Sequence, residues 1–199
     1  YHRTLGDDWH NEAALLATEI NVQLIGRSRK QKRVVSRDWV DECLTIDGRE
    51  YHYRQPEQAF TQPNGHVNQH MISWALKYAR PLGGDLLELY CGIGNFTLPL
   101  AQAFNNVIAT ELSKVATAAA ELNRQTNKIS NVEFARLSAE DMSSALAGDR
   151  AFRRLAHLKR ALADYSLNTL LVDPPRAGLD EKTLSLAAQF DNIIYISCN

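Results

Sequence analysis

The sequence lacks the features of several common protein classes. Only three of its 199 residues are cysteines, Cys43, Cys91 and Cys198, and no two have CxxC spacing. The sequence therefore predicts neither a disulfide framework nor a thiolate site for zinc or an iron–sulfur cluster. The six histidines include no HExxH motif, so no metal site is predicted.

Long apolar runs and a bias of charge are also missing. The longest apolar stretches, such as LLELY and TLLV, are far shorter than a membrane span, and Tyr1 begins neither a signal peptide nor a transit peptide. We therefore expect a cytoplasmic protein without membrane contact. The 22 basic and 23 acidic residues give a net charge of -1, so any RNA-binding surface must be a local patch. The missing initiator Met suggests a piece of a longer chain.

Two segments differ in their apolar pattern, and the boundary between them is expected near residue 60. Residues 1–60 combine one amphipathic helix with short β-prone pieces, which predicts a small α+β segment that binds RNA or links to it. The apolar face of that helix is predicted to consist of Trp9, Ala13, Leu16 and Ile20.

Residues 61–199 alternate short apolar strands with helical stretches. The strands are DLLELYCG, NNVIATE, NVEFARLSA, NTLLVDPP and DNIIYIS, and one long helical region is expected between Ala139 and Tyr165. This alternation predicts an α/β fold with a parallel, doubly wound, Rossmann-like sheet. Because the last strand ends the chain, we expect the sheet to be truncated at its C-terminal side.

Ligands of such sheets bind beyond the carboxyl ends of the strands. The first strand is followed by ELYCGIGNF, in which Gly92 and Gly94 permit a tight turn. A dinucleotide fingerprint would need a third glycine where Thr97 stands, which disfavours a nicotinamide cofactor. Glu111 ends the second strand and could accept hydrogen bonds from ribose hydroxyls. The alternative is a solvated acid or a neighbour of a helix N-cap.

Two further loops could contribute to such a site. Ser138, Glu140 and Asp141 of LSAED could contact an adenine, or they could form a capping box. DPPRAG is a stiff turn because each proline fixes its φ angle, and it would hold Asp173 and Arg176 in place. The alternative is a rigid loop with a surface ion pair.

Cys198 follows the last predicted strand. In the usual order of such sheets the first, fourth and fifth strands are neighbours, so the turn after Leu89, the turn at Asp173 and Cys198 should share one crevice. Cysteine at the end of a buried strand is more often a small core residue. The convergence of three loops favours a reactive thiol.

Two other groups of residues have open interpretations. The basic stretch Arg27–Arg33 could contact RNA phosphates from a hairpin tip, or it could be a solvated turn. The three tryptophans, Trp9, Trp39 and Trp74, lie in apolar settings and are predicted to belong to the core.

Four motifs, FTQPN, ELYCGIGNF, DPPRAG and ISCN, resemble those of the RNA uridine C5-methyltransferases in order and register. The resemblance covers nearly the whole chain and is greatest for the branch that methylates tRNA. The ribosomal-RNA branch carries an N-terminal cysteine cluster for an iron–sulfur centre, for which this chain has no candidate ligands, and it tends towards DPAR rather than DPPR.

The resemblance implies a Rossmann-like methyltransferase sheet that uses S-adenosyl-L-methionine (SAM) without a metal. It implies a monomer that converts the T-loop uridine of tRNA, or of RNAs with a similar stem-loop, to 5-methyluridine. Cys198 would be the nucleophile that adds to C6 of uracil. The SAM contacts carried over by motif are Gln62, Tyr90, Asn95, Glu111 and Asp173.

The family's general base, a glutamate, follows the nucleophile in a later segment, so residues 1–199 alone are expected to be inactive. Two other functions remain open. An RNA cytosine C5-methyltransferase would carry a second cysteine after the proline of the fourth-strand motif, where Pro175 is followed by Arg176. A noncatalytic module that binds SAM or RNA would not need Cys198.

Overall fold

The computed structural model describes residues 3–197 and divides the chain into two compact units, residues 1–40 and 41–199. The first unit contains helix α1 (Asp7–Glu19) and the antiparallel hairpin of strands β1 (Ile25–Ser28) and β2 (Gln31–Val34). The sequence pattern placed the boundary at residue 60 instead, twenty residues later.

Helix α1 was predicted, but its buried face differs from the predicted one. Ala13 and Ala17 are buried, while Leu16 and Ile20 are 46% and 54% exposed. The buried stripe thus advances four residues at a time from Trp9. The Trp9 ring packs so closely on the hairpin that a Cβ atom on Gly26 would lie 2.2 Å from it, and this contact sets the rotation of the helix.

The basic stretch forms the β1–β2 hairpin and its tip, where Lys30 has a positive φ of 60°. Two of its cations form ion pairs within the unit. Lys32 pairs with Asp38 at 2.7 Å, and Arg33 pairs with Asp7 at 2.9 Å. These two ion pairs therefore connect the hairpin to helix α1 and to the segment that follows β2.

The elements that follow form a small hairpin and a layered α/β structure. They are β3 (Trp39–Ile46), β4 (Arg49–Pro56), α2 (Gly65–Ala79), β5 (Asp85–Leu89), α3 (Thr97–Leu100), β6 (Asn106–Thr110), α4 (Lys114–Thr126), β7 (Val132–Ala135), α5 (Ala139–Leu146), β8 (Leu167–Val172), α6 (Glu181–Ala187) and β9 (Asn192–Tyr195). Strands β5 to β9 form one sheet in the order β7-β6-β5-β8-β9, with every pair parallel. The α/β prediction and the predicted neighbours are confirmed.

Strand β5 lies at the centre of the sheet, and all five of its residues are buried. One hydrophobic core includes Ile72 and Leu76 of α2, and a second core contains Met142 of α5 and Leu186 of α6. Because apolar side chains cover both faces of β5, its sequence is a continuous run rather than an alternating pattern.

The β3–β4 hairpin belongs with the second unit because its backbone bonds to α4. Asn123 Oδ1 accepts from the Arg54 amide at 2.7 Å, and Asn127 Oδ1 accepts from the His52 amide at 2.9 Å. The turn at Asp47 and Gly48 has φ angles of 49° and 81°, as a two-residue hairpin requires. The sequence pattern predicted short β-prone pieces in this segment but did not single out β3.

Two other expectations about this unit were wrong. The helical region expected from Ala139 to Tyr165 ends at Leu146, and only short 3₁₀ turns follow. Trp74, expected in the core, is 48% exposed on α2. Ile193 of β9 is also 48% exposed because β9 is an edge strand whose second face is uncovered. No helix within residues 3–197 is both long and apolar enough to cross a membrane.

Glu88 is an acid in the middle of the core. It is 1% exposed, and burial raises its pKa to about 8; the negative charge of Asp173 adds to the rise. The nearby hydroxyl group of Thr97 offsets part of this rise in pKa. Its distance and angles do not make a hydrogen bond, so Thr97 Oγ1 and Glu88 Oε2 are both buried without a hydrogen-bond partner among the described residues. Glu88 is therefore a neutral carboxylic acid at pH 7.

This buried acid makes a testable prediction about stability. The folded state keeps the proton up to about pH 8, whereas the unfolded chain loses it near 4.5. The stabilisation is therefore complete below pH 4.5 and is lost as the pH rises to 8, by up to about 1.4 kcal/mol per pH unit. Glu88→Gln keeps the shape without the charge and should flatten this slope in urea unfolding at pH 5–9.

Glu181→Gln, which alters an exposed acid of α6, is the matched control and should keep the wild-type slope. An unchanged slope in Glu88→Gln would contradict the assignment of Glu88 as a buried neutral acid.

Candidate functional site

The chain turns sharply where β5 ends. Tyr90, Gly92 and Gly94 have positive φ angles of 61°, 57° and 88°. Such an angle is costly for tyrosine, so the surrounding packing must hold Tyr90 there. A Cβ atom on Gly92 would meet nothing within 4 Å, which leaves open space above the turn, whereas one on Gly94 would lie 3.4 Å from Leu98 and Phe134.

Glu111 joins this turn to the next strand. Its Oε2 accepts from the Gly92 amide at 3.2 Å, and its Oε1 accepts from the Ser113 amide at 2.7 Å. Ser113 is the N-cap of α4, so Glu111 is a neighbour of a helix N-cap, as one of the two interpretations of its sequence position predicted. The bond to Gly92 adds that Glu111 lies against the glycine turn.

Asn95 is fixed at the other end of the turn. Its side chain forms a reciprocal amide pair with the buried Asn68 of α2, at 2.8 and 2.9 Å, and its carbonyl accepts from the Tyr53 hydroxyl at 3.0 Å. Strand β4 and helix α2 thus both hold the position of Asn95.

Gln62 and Asp173 meet although they are distant in sequence. Asp173 follows β8, and burial raises the pKa of its carboxyl group, while the nearby Gln62 side chain lowers that pKa. Asp173 also lies near enough to Glu88 for its charge to raise the pKa of that acid. The segment before α2, the core of β5 and the tip of β8 therefore share one polar cluster.

The side chain of Tyr90 is partly buried towards α6. Burial raises the pKa of its hydroxyl group, the nearby Thr183 side chain lowers it, and the charges of Asp180 and Tyr195 raise it. Tyr90 is thus packed between the turn after β5 and the beginning of α6.

Cys198 lies outside the described residues. The backbone amide of Ile196 donates to Val172 at 2.9 Å, so the described end of the chain runs beside the residue that precedes Asp173. Burial raises the pKa of the Cys91 thiol well above its ordinary value, and burial followed by the charges of Glu50 and Glu42 raises that of Cys43. Neither of the two described thiols is an activated nucleophile.

Two other predicted loops have their simpler roles. Ser138 is the N-cap of α5 and accepts from the Asp141 amide at 3.0 Å, which is one half of the predicted capping box, and Glu140 pairs with Lys182 at 2.8 Å. Arg176 is exposed in the turn that the Gly178 amide closes on the Pro175 carbonyl at 2.8 Å.

Sequence reasoning missed three residues of this site: Asn68, Glu88 and Thr97. Glu88 carried a signal, because it is the one charged residue of the apolar strand LLEL. Asn68 and Thr97 gave none, since polar residues are ordinary on helices. Glu111 and Asp173 make this crevice acidic, which suits a ligand that is a cation or carries several hydroxyl groups, and the neutral Glu88 lies close to Asp173 in the core.

Solved structures share this fold. A tRNA (uracil-54, C5)-methyltransferase of Pyrococcus abyssi in complex with S-adenosyl-L-homocysteine matches with a TM-score of 0.62 and 22% identity, over 84% of this chain and 36% of that one. A 16S rRNA N2 G1207 methyltransferase of T. thermophilus in complex with AdoMet and guanosine has a TM-score of 0.51 and 16% identity, over 92% of this chain and 49% of that one.

The sequence comparisons are more specific. The family described as tRNA (Uracil-5-)-methyltransferase matches residues 1–199. Proteins named tRNA/tmRNA (uracil-C(5))-methyltransferase match over the whole chain, with 53% identity in Cellvibrio japonicus and 54% in Azoarcus sp.. This chain covers 54% of each of these two proteins, about half the length of the curated relatives. The match over all 199 residues shows that the chain belongs to the tRNA (uracil-5-)-methyltransferase family.

Proposed function

We propose that this chain provides the SAM pocket and the nucleophile of an enzyme that methylates C5 of the T-loop uridine of tRNA. The product would be 5-methyluridine, and RNAs with a similar stem-loop would be further substrates. The observation that carries the proposal is that Asp173, whose pKa the nearby Gln62 side chain lowers, follows Val172, the register partner of Leu89, and so lies beside the turn from Tyr90 to Asn95. Gln62, Tyr90, Asn95 and Asp173 are four of the five residues expected to contact SAM. We expect a cytoplasmic monomer.

The fifth expected contact, Glu111, has capacity for a nucleoside. A carboxylate offers about four acceptor positions, and two backbone amides occupy only two of them. The remaining lone pairs could accept from both ribose hydroxyls of SAM. The open space above Gly92 supports a close approach of the ligand to the backbone.

The acidic crevice also fits the charge of SAM. The sulfonium and ammonium groups of SAM are cations, and Asp173 is a partly buried acid whose charged form they would favour. We therefore assign Asp173 to the positive part of the ligand, with Gln62 fixing the orientation of the carboxylate.

Cys198 would supply the chemistry. Its thiolate adds to C6 of uracil, and the electron pair moves to C5, which then attacks the methyl group of SAM and releases S-adenosyl-L-homocysteine. A base removes the proton from C5, and the electron pair of that C–H bond expels the thiolate. The raised pKa values of the two described thiols support Cys198 as the nucleophile of this chain.

The alternatives have less support. A cytosine C5-methyltransferase would need a cysteine after the proline of the fourth-strand motif, where the chain has Pro175 and Arg176. A noncatalytic module would have no use for the thiol of Cys198, and the names of the relatives favour catalysis.

Asp173→Asn in the full-length protein should weaken SAM binding by about 10- to 100-fold, because hydrogen bonds to a charged group contribute about 1.5–3 kcal/mol. Isothermal titration calorimetry measures this change. Asp191→Asn, the same substitution at an exposed position, should bind SAM as the wild type does. Equal SAM affinities in the two variants would show that Asp173 does not contact SAM.

Cys198→Ala in the full-length protein should abolish methylation of a T-arm RNA and the covalent adduct with 5-fluorouridine RNA, while SAM affinity stays within a few-fold. Cys43→Ala, which removes an exposed thiol, should leave both reactions intact. A noncatalytic module predicts that neither variant changes anything, so retention of the adduct in Cys198→Ala would refute the assignment.

Residues 1–199 alone should not complete repeated turnovers, because no position matched to the family's motifs supplies the base. A multiple-turnover assay with T-arm RNA tests this, with the full-length protein as the positive control. More than one methyl group transferred per chain would show that another residue acts as the base.

A further inference from the structure

Eleven residues between α5 and β8, RAFRRLAHLKR at 150–160, have a charge of one sign. They contain five Lys or Arg residues, Arg150, Arg153, Arg154, Lys159 and Arg160, and no Asp or Glu. We name this stretch the basic segment. Since the whole chain has a net charge of -1, these five charges are a local concentration and not part of a general excess.

The five cationic residues of the basic segment are all exposed to solvent. Every third residue, Phe152, Leu155 and Leu158, is partly buried against the core on the α5 and α6 side of the sheet. The five cationic residues between and around them are exposed. The apolar residues thus anchor the segment, and the positive charges face solvent.

Hydrogen bonds fix the basic segment along the outer edge of β7. The Arg154 side chain donates to the Arg136 carbonyl at 3.0 Å, just beyond the end of β7, and His157 Nε2 contacts the Phe134 carbonyl at 2.8 Å. Lys159 Nζ donates to the Ser130 carbonyl at 3.0 Å, before β7 begins. The segment therefore runs antiparallel to β7. Its Arg154 end lies at the carboxyl end of β7, and the glycine turn follows the carboxyl end of the parallel strand β5.

The charges are available to an external anion. Within residues 3–197, none of the five forms an ion pair with a carboxylate. The guanidinium group of Arg150 lies 4.7 Å from the centre of the Phe152 ring, and that of Arg160 lies 5.0 Å from the Tyr165 ring. Stacking orients these groups and leaves N–H donors for phosphate oxygens. An ordinary solvated surface would mix both signs of charge.

We infer that the basic segment binds the phosphate backbone of the RNA substrate. The inference rests on the proposed function and adds a contact surface outside the SAM crevice. β7 lies two strands from β5, about 10 Å at the usual strand spacing. The phosphates bound here therefore belong to nucleotides some distance from the reacting uracil, so an intact tRNA should use the surface more than a short stem-loop does.

Charge reversal at Arg153 tests this inference in the full-length protein. The Arg153 side chain is exposed and makes no hydrogen bond or ion pair within residues 3–197, so Arg153→Glu should fold normally, which thermal unfolding checks. Fluorescence anisotropy at 50–200 mM salt should show weaker tRNA binding and a log–log salt slope reduced by about 1. Adding Arg150→Glu should enlarge both effects, and Arg153→Lys should restore most of the affinity.

Lys77→Glu makes the same change of charge on the exposed face of α2 and is the control. If Arg153→Glu and Lys77→Glu bind tRNA equally well with equal slopes, the inference is wrong. It is also wrong if Arg153→Glu impairs binding to anionic vesicles but not to tRNA.

Different measurements test uracil methylation and tRNA binding by the basic segment. If the wild-type protein binds tRNA through the basic segment but methylates no uracil, the proposed function fails and the surface stands. If the wild type methylates tRNA and Arg153→Glu has unchanged affinity, salt slope and KM for tRNA, the surface fails and the function stands.

Discussion

The burial of β5 on both faces is the constraint on which the site depends. A strand covered on both sides by apolar cores cannot shift, so its carboxyl end is a fixed point. The turn from Tyr90 to Gly94 begins at that point, and its positive φ angles persist because the core holds the residues before it. Glu111 and Asn95 then extend the same fixed geometry to β6 and α2.

The sequence predicted those parts of the site that are local in the chain. Glycines mark the turn after β5, prolines mark the turn after β8, and continuous apolar runs mark the buried strands. The approximate positions of Tyr90, Glu111 and Asp173 at strand ends follow from the topology rule for parallel sheets. Such features could be read because each depends on a few neighbouring residues.

The parts that were missed depend on tertiary contacts. The pairing of Asn68 with Asn95 joins residues of two elements whose sequences give no sign of each other. Strand β3 was overlooked because its sequence, WVDECLTI, does not alternate strictly and places Asp41 and Glu42 side by side, so its stability comes from its hairpin partner. The helix expected up to Tyr165 ends at Leu146 because Gly148, with a φ of 77°, terminates it, and the period of three in the basic segment then replaces helical spacing.

The buried acid and the basic segment represent two ways of handling charge in one small fold. Glu88 stays neutral because burial disfavours its charged form and no cation among residues 3–197 compensates it. The five cationic residues at the β7 edge are exposed to water, and within residues 3–197 none of their side chains forms an ion pair with a carboxylate. An acidic crevice for a cationic ligand and a basic edge for a polyanion can coexist because β6 and β7 separate them.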